Sequence, residues 1–134
     1  MILADTSGLL SLYNRREATH PSVAEAVAEE QGPFVVSPYV VAELDYLVAT
    51  RLGAGAEQRV LAELASPAYV LATVDRDDLR ACAELISRYA GIGVTDASML
   101  VLADRLGIDR VLTLDRRHFE VARTPSGRAL AIVP

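Results

Sequence analysis

The chain has no tryptophan, a single cysteine and an aromatic share of only 5%. A lone thiol, Cys82, excludes an intrachain disulfide and any thiolate-held metal cluster. Its expected place is inside a helix, packed as a small apolar side chain. With so few rings, the core must rest on Leu, Val, Ile and Ala, a mixture that suits helices and buried strands alike. No apolar run reaches the roughly eighteen residues of a membrane span. No basic segment precedes the first apolar run, which Asp5 interrupts early. A cytoplasmic protein with no membrane association is the expectation. Net positive charge is also missing. The formal charge of −5 argues against a nucleic-acid binder held by a broad basic surface. It leaves open a nuclease whose acidic site is neutralised by metal, and it suits a basic protein partner.

What the chain does have is apolar residues, 51% of 134, enough for one domain (1–134) with a real core. MILAD reads as a short buried strand. Thr6 and Ser7 are helix-capping residue types ahead of a helix from Gly8 to Tyr13. His20-Pro21 opens a second helix through Glu30. Phe34-Val35-Val36 is a continuous apolar run, as in a parallel strand covered on both faces. Ser37-Pro38 starts a helix to Arg51, and a further helix spans 56–65. A strand is expected at 69–74. A helix follows at 75–90, with a stripe of Leu79, Cys82, Ala83, Leu85 and Ile86. A helix at 95–106 ends at Gly107. Strands are expected at 111–114 and 129–133. Strands alternate with helices, which predicts an α/β fold with a mostly parallel central sheet of about five strands.

Four acids stand at the edges of apolar segments: Asp5, Glu43, Asp96 and Asp115. A carboxylate beside buried surface is costly without a partner, and no Lys or Arg stands obviously ready. Clustered carboxylates suit hard divalent cations, Mg²⁺ or Mn²⁺. Asp5 and Asp115 each follow a predicted strand, so both should face the rim where open parallel sheets bind ligands. At about 100° per residue, Glu43 falls on the margin of the stripe formed by Val40, Leu44, Leu47 and Val48. Asp45 points roughly 160° away and is expected in solvent. Asp96 shares a face with Met99, Leu100 and Ala103, while Ser98 and Arg105 point elsewhere. Asp104 lies about 12 Å further along the axis, too far to share an ion with Asp96. Each acid also has a plainer role open to it: a turn residue, a helix cap, or an ordinary helix position.

The stretches Asp-Thr-Ser-Gly, Ser-Pro-Tyr-Val-Val-Ala-Glu-Leu, Thr-Asp-Ala-Ser and Leu-Thr-Leu-Asp-Arg-Arg-His-Phe, in this order, resemble the PIN-domain ribonucleases. Within them the chain looks like the VapC toxins of toxin–antitoxin pairs, over its whole length. The resemblance implies a three-layer α/β/α fold and Mg²⁺- or Mn²⁺-dependent endonucleolytic cleavage of RNA. It implies Asp5, Glu43, Asp96 and Asp115 as metal-binding and catalytic residues, with Asp5 and Asp96 central. Thr6 or Ser7 would match a family hydroxyl, and Thr113 a small polar residue that supports the last acid. Some members carry another acid where this chain has Met99, so that ligand is absent here. The products would be a 5′-phosphate and a 3′-hydroxyl. Partners would be RNA, a VapB-type antitoxin and a second copy of the chain, with a larger toxin–antitoxin assembly left open. The antitoxin would lie in a groove near Tyr13, Val40 and Tyr46. Arg116 and Arg117 stand where they would meet RNA phosphate or form a solvated turn. His118 is read as structural, with Phe119 anchoring the turn. Two other readings are a Mg²⁺-dependent phosphatase and a non-catalytic PIN-like binding module. The phosphatase would want a second Asp two residues after Asp5, where Ser7 stands.

Overall fold

A computed structural model describes all residues, 1–134. Five short strands carry the sheet: β1 (Ile2–Ala4), β2 (Phe34–Val36), β3 (Tyr69–Leu71), β4 (Arg110–Leu112) and β5 (Ala131–Val133). Their order is β3-β2-β1-β4-β5, and every pairing is parallel. Leu3 sits between Val35 and Val111 in register. β1 and β2 are buried at every residue, as the continuous apolar runs require when helices cover both faces. From β1 the chain builds outward through β2 and β3, then returns to the other side of β1 for β4 and β5. The switch point therefore lies between β1 and β4.

Seven helices pack around this sheet: α1 (Thr6–Tyr13), α2 (His20–Glu29), α3 (Pro38–Leu52), α4 (Ala54–Leu64), α5 (Arg76–Arg88), α6 (Val94–Leu106) and α7 (Arg116–Phe119). Local chemistry sets their ends. Ser37 caps α3 by accepting from Tyr39 N, with Pro38 in the first turn. Asp75 and Asp78 form a reciprocal capping box on α5. Gly107 ends α6 in the left-handed region at φ 68°. The N-cap of α1 is Asp5, not Thr6 or Ser7, whose hydroxyls are used elsewhere. The helix α7 was expected only as a turn.

Two burial expectations are corrected, the α5 stripe and Asp45, while β3 and α6 show burial that the sequence left open. In α5, Cys82 and Leu85 are buried, but Leu79 and Ile86 are 46% and 39% exposed and Ala83 is exposed. Helix α5 packs against α6, and this face lies on the side away from it. Burial pushes the Cys82 thiol up to about 11, so it remains a neutral packing group. β3 is shorter than expected and lies at the sheet edge, with Val70 and Leu71 exposed. Helix α6 has no polar side over its middle, because Ala97 to Ala103 are all buried. Ser98 is therefore fully inside. Its hydroxyl donates to Thr95 O at 2.7 Å, so the 2.7 Å contact with Ser37 must be a bond donated by Ser37. This chain of hydroxyls ties α3 to α6. Finally, Asp45 is not in open solvent. It points away from Glu43 as phased, but α4 packs there, and one Asp45 carboxylate oxygen is buried without a partner. Hydrogen bonding and repulsion from Asp45 push the Glu57 carboxyl above the ordinary range.

Candidate active site

Asp5 leaves the carboxyl end of β1 and is 5% exposed. Its backbone N–H donates to Leu112 O of β4 at 2.9 Å, which fixes it at the switch point. Its side chain is held by two hydroxyls. Ser7 Oγ donates to Asp5 Oδ2 at 2.7 Å and Thr113 Oγ1 donates to the same oxygen at 2.8 Å. Each hydroxyl in turn accepts a backbone N–H: Leu114 N to Ser7 Oγ at 2.9 Å, Asp115 N to Thr113 Oγ1 at 3.0 Å. Each hydroxyl has one proton, and both protons go to Oδ2. This geometry holds Asp5 as an acceptor and leaves its other oxygen clear of these bonds. Thr113 thus supports Asp5 through its side chain and Asp115 through the backbone, rather than the last acid alone.

Gly8 explains the close fit of α1 to the sheet. A Cβ there would lie 2.8 Å from Leu112 O and 2.9 Å from Leu112 Cγ. Only a residue without a side chain lets α1 start so near β4, and that approach brings Ser7 to Thr113.

Glu43 reaches the site from α3, where Thr6 Oγ1 donates to its Oε2 at 2.9 Å. Asp96 comes from the first turn of α6 and accepts a long 3.4 Å bond from Gly93 N. Asp115 follows β4. Together Asp5, Thr6, Ser7, Glu43, Asp96 and Asp115 line one cavity of about 490 Å³. None of the four acids forms an ion pair with an arginine. Burial, then the negative charge of Asp5, with Asp115 adding to it, push the Asp96 carboxyl above its ordinary range. The Gly93 N–H and His118 oppose that rise. No three acid or histidine side chains yet converge on a common point at ion-binding distances. The donor chemistry, four carboxylates on one cavity with no arginine paired to any of them, is nonetheless what a hard divalent cation takes.

Two further residues line the cavity. His118, read as structural, is one of them. Its Nδ1 lies 3.1 Å from Asp115 Oδ2 and 3.4 Å from Asp96 Oδ2, yet the bond angles are poor and this buried nitrogen has no well-formed hydrogen bond. Its spacing of three from Asp115 was the available signal, since a helical turn stacks such a pair. Arg51 also lines the cavity. Glu43, Leu47 and Arg51 recur at intervals of four on α3, which places all three on one face. Phe119, 1% exposed, does anchor the turn.

Arg116 is engaged away from the cavity. It donates to Pro134 O at 2.7 Å and pairs loosely with Glu120 at 3.8 Å. Arg117 lines a neighbouring cavity. Asp104 is occupied elsewhere, accepting from Ser126 Oγ at 2.6 Å and Arg128 Nη2 at 3.1 Å. Met99 is fully buried in the core and contributes nothing to the site. Of the groove residues, Val40 is fully buried and cannot line a surface, whereas Tyr46 is 66% exposed. Tyr13 lines a separate cavity with Ala56, Arg59, Val60 and Glu63.

The sequence pattern of the PIN domain matches residues 2–124. Ribonuclease VapC26 of Mycobacterium tuberculosis is 44% identical over 135 residues, covering 99% of this chain and all of that protein. The crystal structure of VapC20 from Mycobacterium tuberculosis, described as a Sarcin-Ricin loop cleaving toxin, superposes with a TM-score of 0.78. It shares 23% identity and covers 83% of this chain and 87% of its own. A toxin–antitoxin complex from Klebsiella pneumoniae gives a TM-score of 0.74 at 18% identity, covering 100% of this chain and 97% of its own. These two structures share the fold.

Proposed function

Because this chain belongs to the PIN-domain family, we infer that it is a VapC-type endoribonuclease toxin, dependent on Mg²⁺ or Mn²⁺ and neutralised by a cognate antitoxin. The observation that carries this reading is the convergence of Asp5, Glu43, Asp96 and Asp115 on one cavity at the switch point of a parallel sheet. Asp5 and Asp96 are the central metal-holding groups, with Glu43 and Asp115 beside them. When bound, the ion supplies a water of lowered pKa and neutralises charge on the phosphoryl oxygens.

The chain's own residues prepare for that chemistry. Ser7 and Thr113 hold Asp5 in a fixed orientation by donating to its Oδ2. Thr6 holds Glu43 at the cavity wall. Asp115 or Glu43 accepts the proton lost by the attacking water and becomes neutral, with His118 Nδ1 standing 3.1 Å from Asp115. Arg51 is the guanidinium available in the cavity to meet substrate phosphate. Attack by water leaves a 5′-phosphate and a 3′-hydroxyl.

The antitoxin reading draws on the named relatives and on the formal charge of −5, which suits a basic partner segment. The cavity beside Tyr13, together with exposed Tyr46, is where such a segment finds apolar surface. A homodimer would cover Val70 and Leu71 on the edge strand β3. The phosphatase reading gains nothing, because Ser7 at the position of its second acid is committed to Asp5.

The test is RNA cleavage with Mg²⁺, with Mn²⁺ and with chelator, followed by mapping of the new ends. Cleavage should need the ion and leave 5′-phosphates, and Asp5→Asn and Asp96→Asn should abolish it. Wild-type rates in both variants would overturn the assignment.

A further inference from the structure

A second cavity, of about 640 Å³, shares one lining side chain with the acidic one. His118 lines both. Its Nδ1 faces Asp96 and Asp115, and its Nε2 faces the loop at Gly91, where a built Cβ would lie 3.7 Å away. One imidazole is thus the partition between the two spaces. The second cavity differs from the first in character. Tyr89, Ile92 and Val121 give it an apolar wall, and Arg88 and Arg117 stand at its margin. Val121 is 66% exposed although it is apolar. The ion pairs of the chain engage Arg80, Arg105, Arg110, Arg116 and Arg128. Arg88 and Arg117 take part in none, in a chain whose formal charge is −5.

We propose that this cavity takes the nucleotide next to the scissile phosphate: its base lies against Tyr89, Ile92 and Val121, and its phosphate meets Arg88 and Arg117. The inference rests on the nuclease reading and extends it to a residue-level subsite. The volume falls within the roughly 300–1,000 Å³ of small-ligand sites. Single-stranded RNA is held by stacking unpaired bases on aromatic and guanidinium faces and by neutralising phosphates. An RNA strand with a phosphate in the acidic cavity needs a path for its neighbour, and His118 is the only side chain common to the two walls. Two unpaired guanidinium groups favour a polyanion over an acidic peptide here because the cavity floor is apolar and ring-lined, matched to a base.

The experiment uses the full chain. Binding of a fluorescein-labelled single-stranded RNA decamer of mixed sequence is read by anisotropy in the Asp5→Asn background. Arg88→Ala/Arg117→Ala and Val121→Asp should each weaken binding at least fivefold. Arg76→Ala removes an exposed arginine outside the cavity and should not change it. Val121 and Arg88 are exposed, so folding is retained, and circular dichroism checks this. In the wild-type background the same changes should raise KM more than they lower kcat. They should also alter preference among oligonucleotides differing only in the base next to the cut. Unchanged affinity and unchanged preference would overturn the subsite while leaving the nuclease reading intact. Loss of binding to an antitoxin peptide instead of RNA would overturn it in favour of a protein contact. Cleavage that survives Asp5→Asn would instead remove the nuclease reading, and the anisotropy comparison would still decide the subsite.

Discussion

Ser7 Oγ and Thr113 Oγ1 lie 3.1 Å apart although 106 positions separate them in the chain, and both give their protons to the same oxygen of Asp5. The pair joins the start of α1 to the end of β4 across the switch point. Thr113→Val keeps the shape and removes the hydroxyl. It leaves the Asp115 N–H unsatisfied and Asp5 with one donor fewer. The expected cost is about 1–3 kcal/mol of stability, read by urea unfolding. Cleavage should fall about 10- to 100-fold, as for other supports of metal-binding groups. Thr113→Ser should restore most of both. A Thr113→Val protein as stable and as active as wild type would show the network to be incidental.

Asp96 is the acid whose ionisation the metal-free fold resists. Its folded pKa is raised, so its charged form lowers stability above that pKa. The penalty fades as pH falls through the folded value, and below the ordinary carboxylate range none remains. Asp96→Asn should therefore raise the Tm of chelator-treated protein by about 2–5 °C at pH 7.5. The advantage should shrink on acidification towards pH 4. Adding Mg²⁺ should raise the Tm of wild type more than that of the variant, because an ion bound to the folded state stabilises by mass action. Calorimetry across pH, with and without the ion, separates these cases. A variant less stable than wild type at pH 7.5 without metal would contradict the assigned cause.

Gly8→Ala inserts a Cβ into the Leu112 backbone at 2.8 Å, a distance that something must relieve. The helix α1 would shift off β4 and carry Ser7 from Thr113. The expected loss is about 1–3 kcal/mol, typical of overpacking. Activity should fall further than stability alone explains, since Asp5 loses its holder. Thermal melts and cleavage rates at a temperature where the variant remains folded would check this. A variant with a wild-type melt would mean the helix is free to move.

The alternation of apolar strands and helical stretches was legible because each run had its own punctuation: Pro21, Pro38, Gly53 and Gly107 stand at helix ends. The exclusion of Asp104 agrees with its commitment to Ser126 and Arg128. Phasing also gave the direction of Asp45, but not what lay in that direction. A helical angle is local, whereas burial depends on whether another element packs there, and α4 does. The same reason undid the exposed half of the α5 stripe.

The identities of the four acids, and the strand-end positions of Asp5 and Asp115, belong to the sequence alone. Which atoms face one another was decided by tertiary structure. Two hydroxyls remote in sequence meet on Asp5 only because β1 and β4 pair in parallel, with Leu3 opposite Val111. His118 comes between Asp96 and Asp115 only because α6 and α7 pack beside the same strand end. A periodic pattern fixes which side of an element is buried. Convergence of side chains from separate elements depends on register and close approach, which here turn on a glycine, Gly8, that has no side chain to reveal its role.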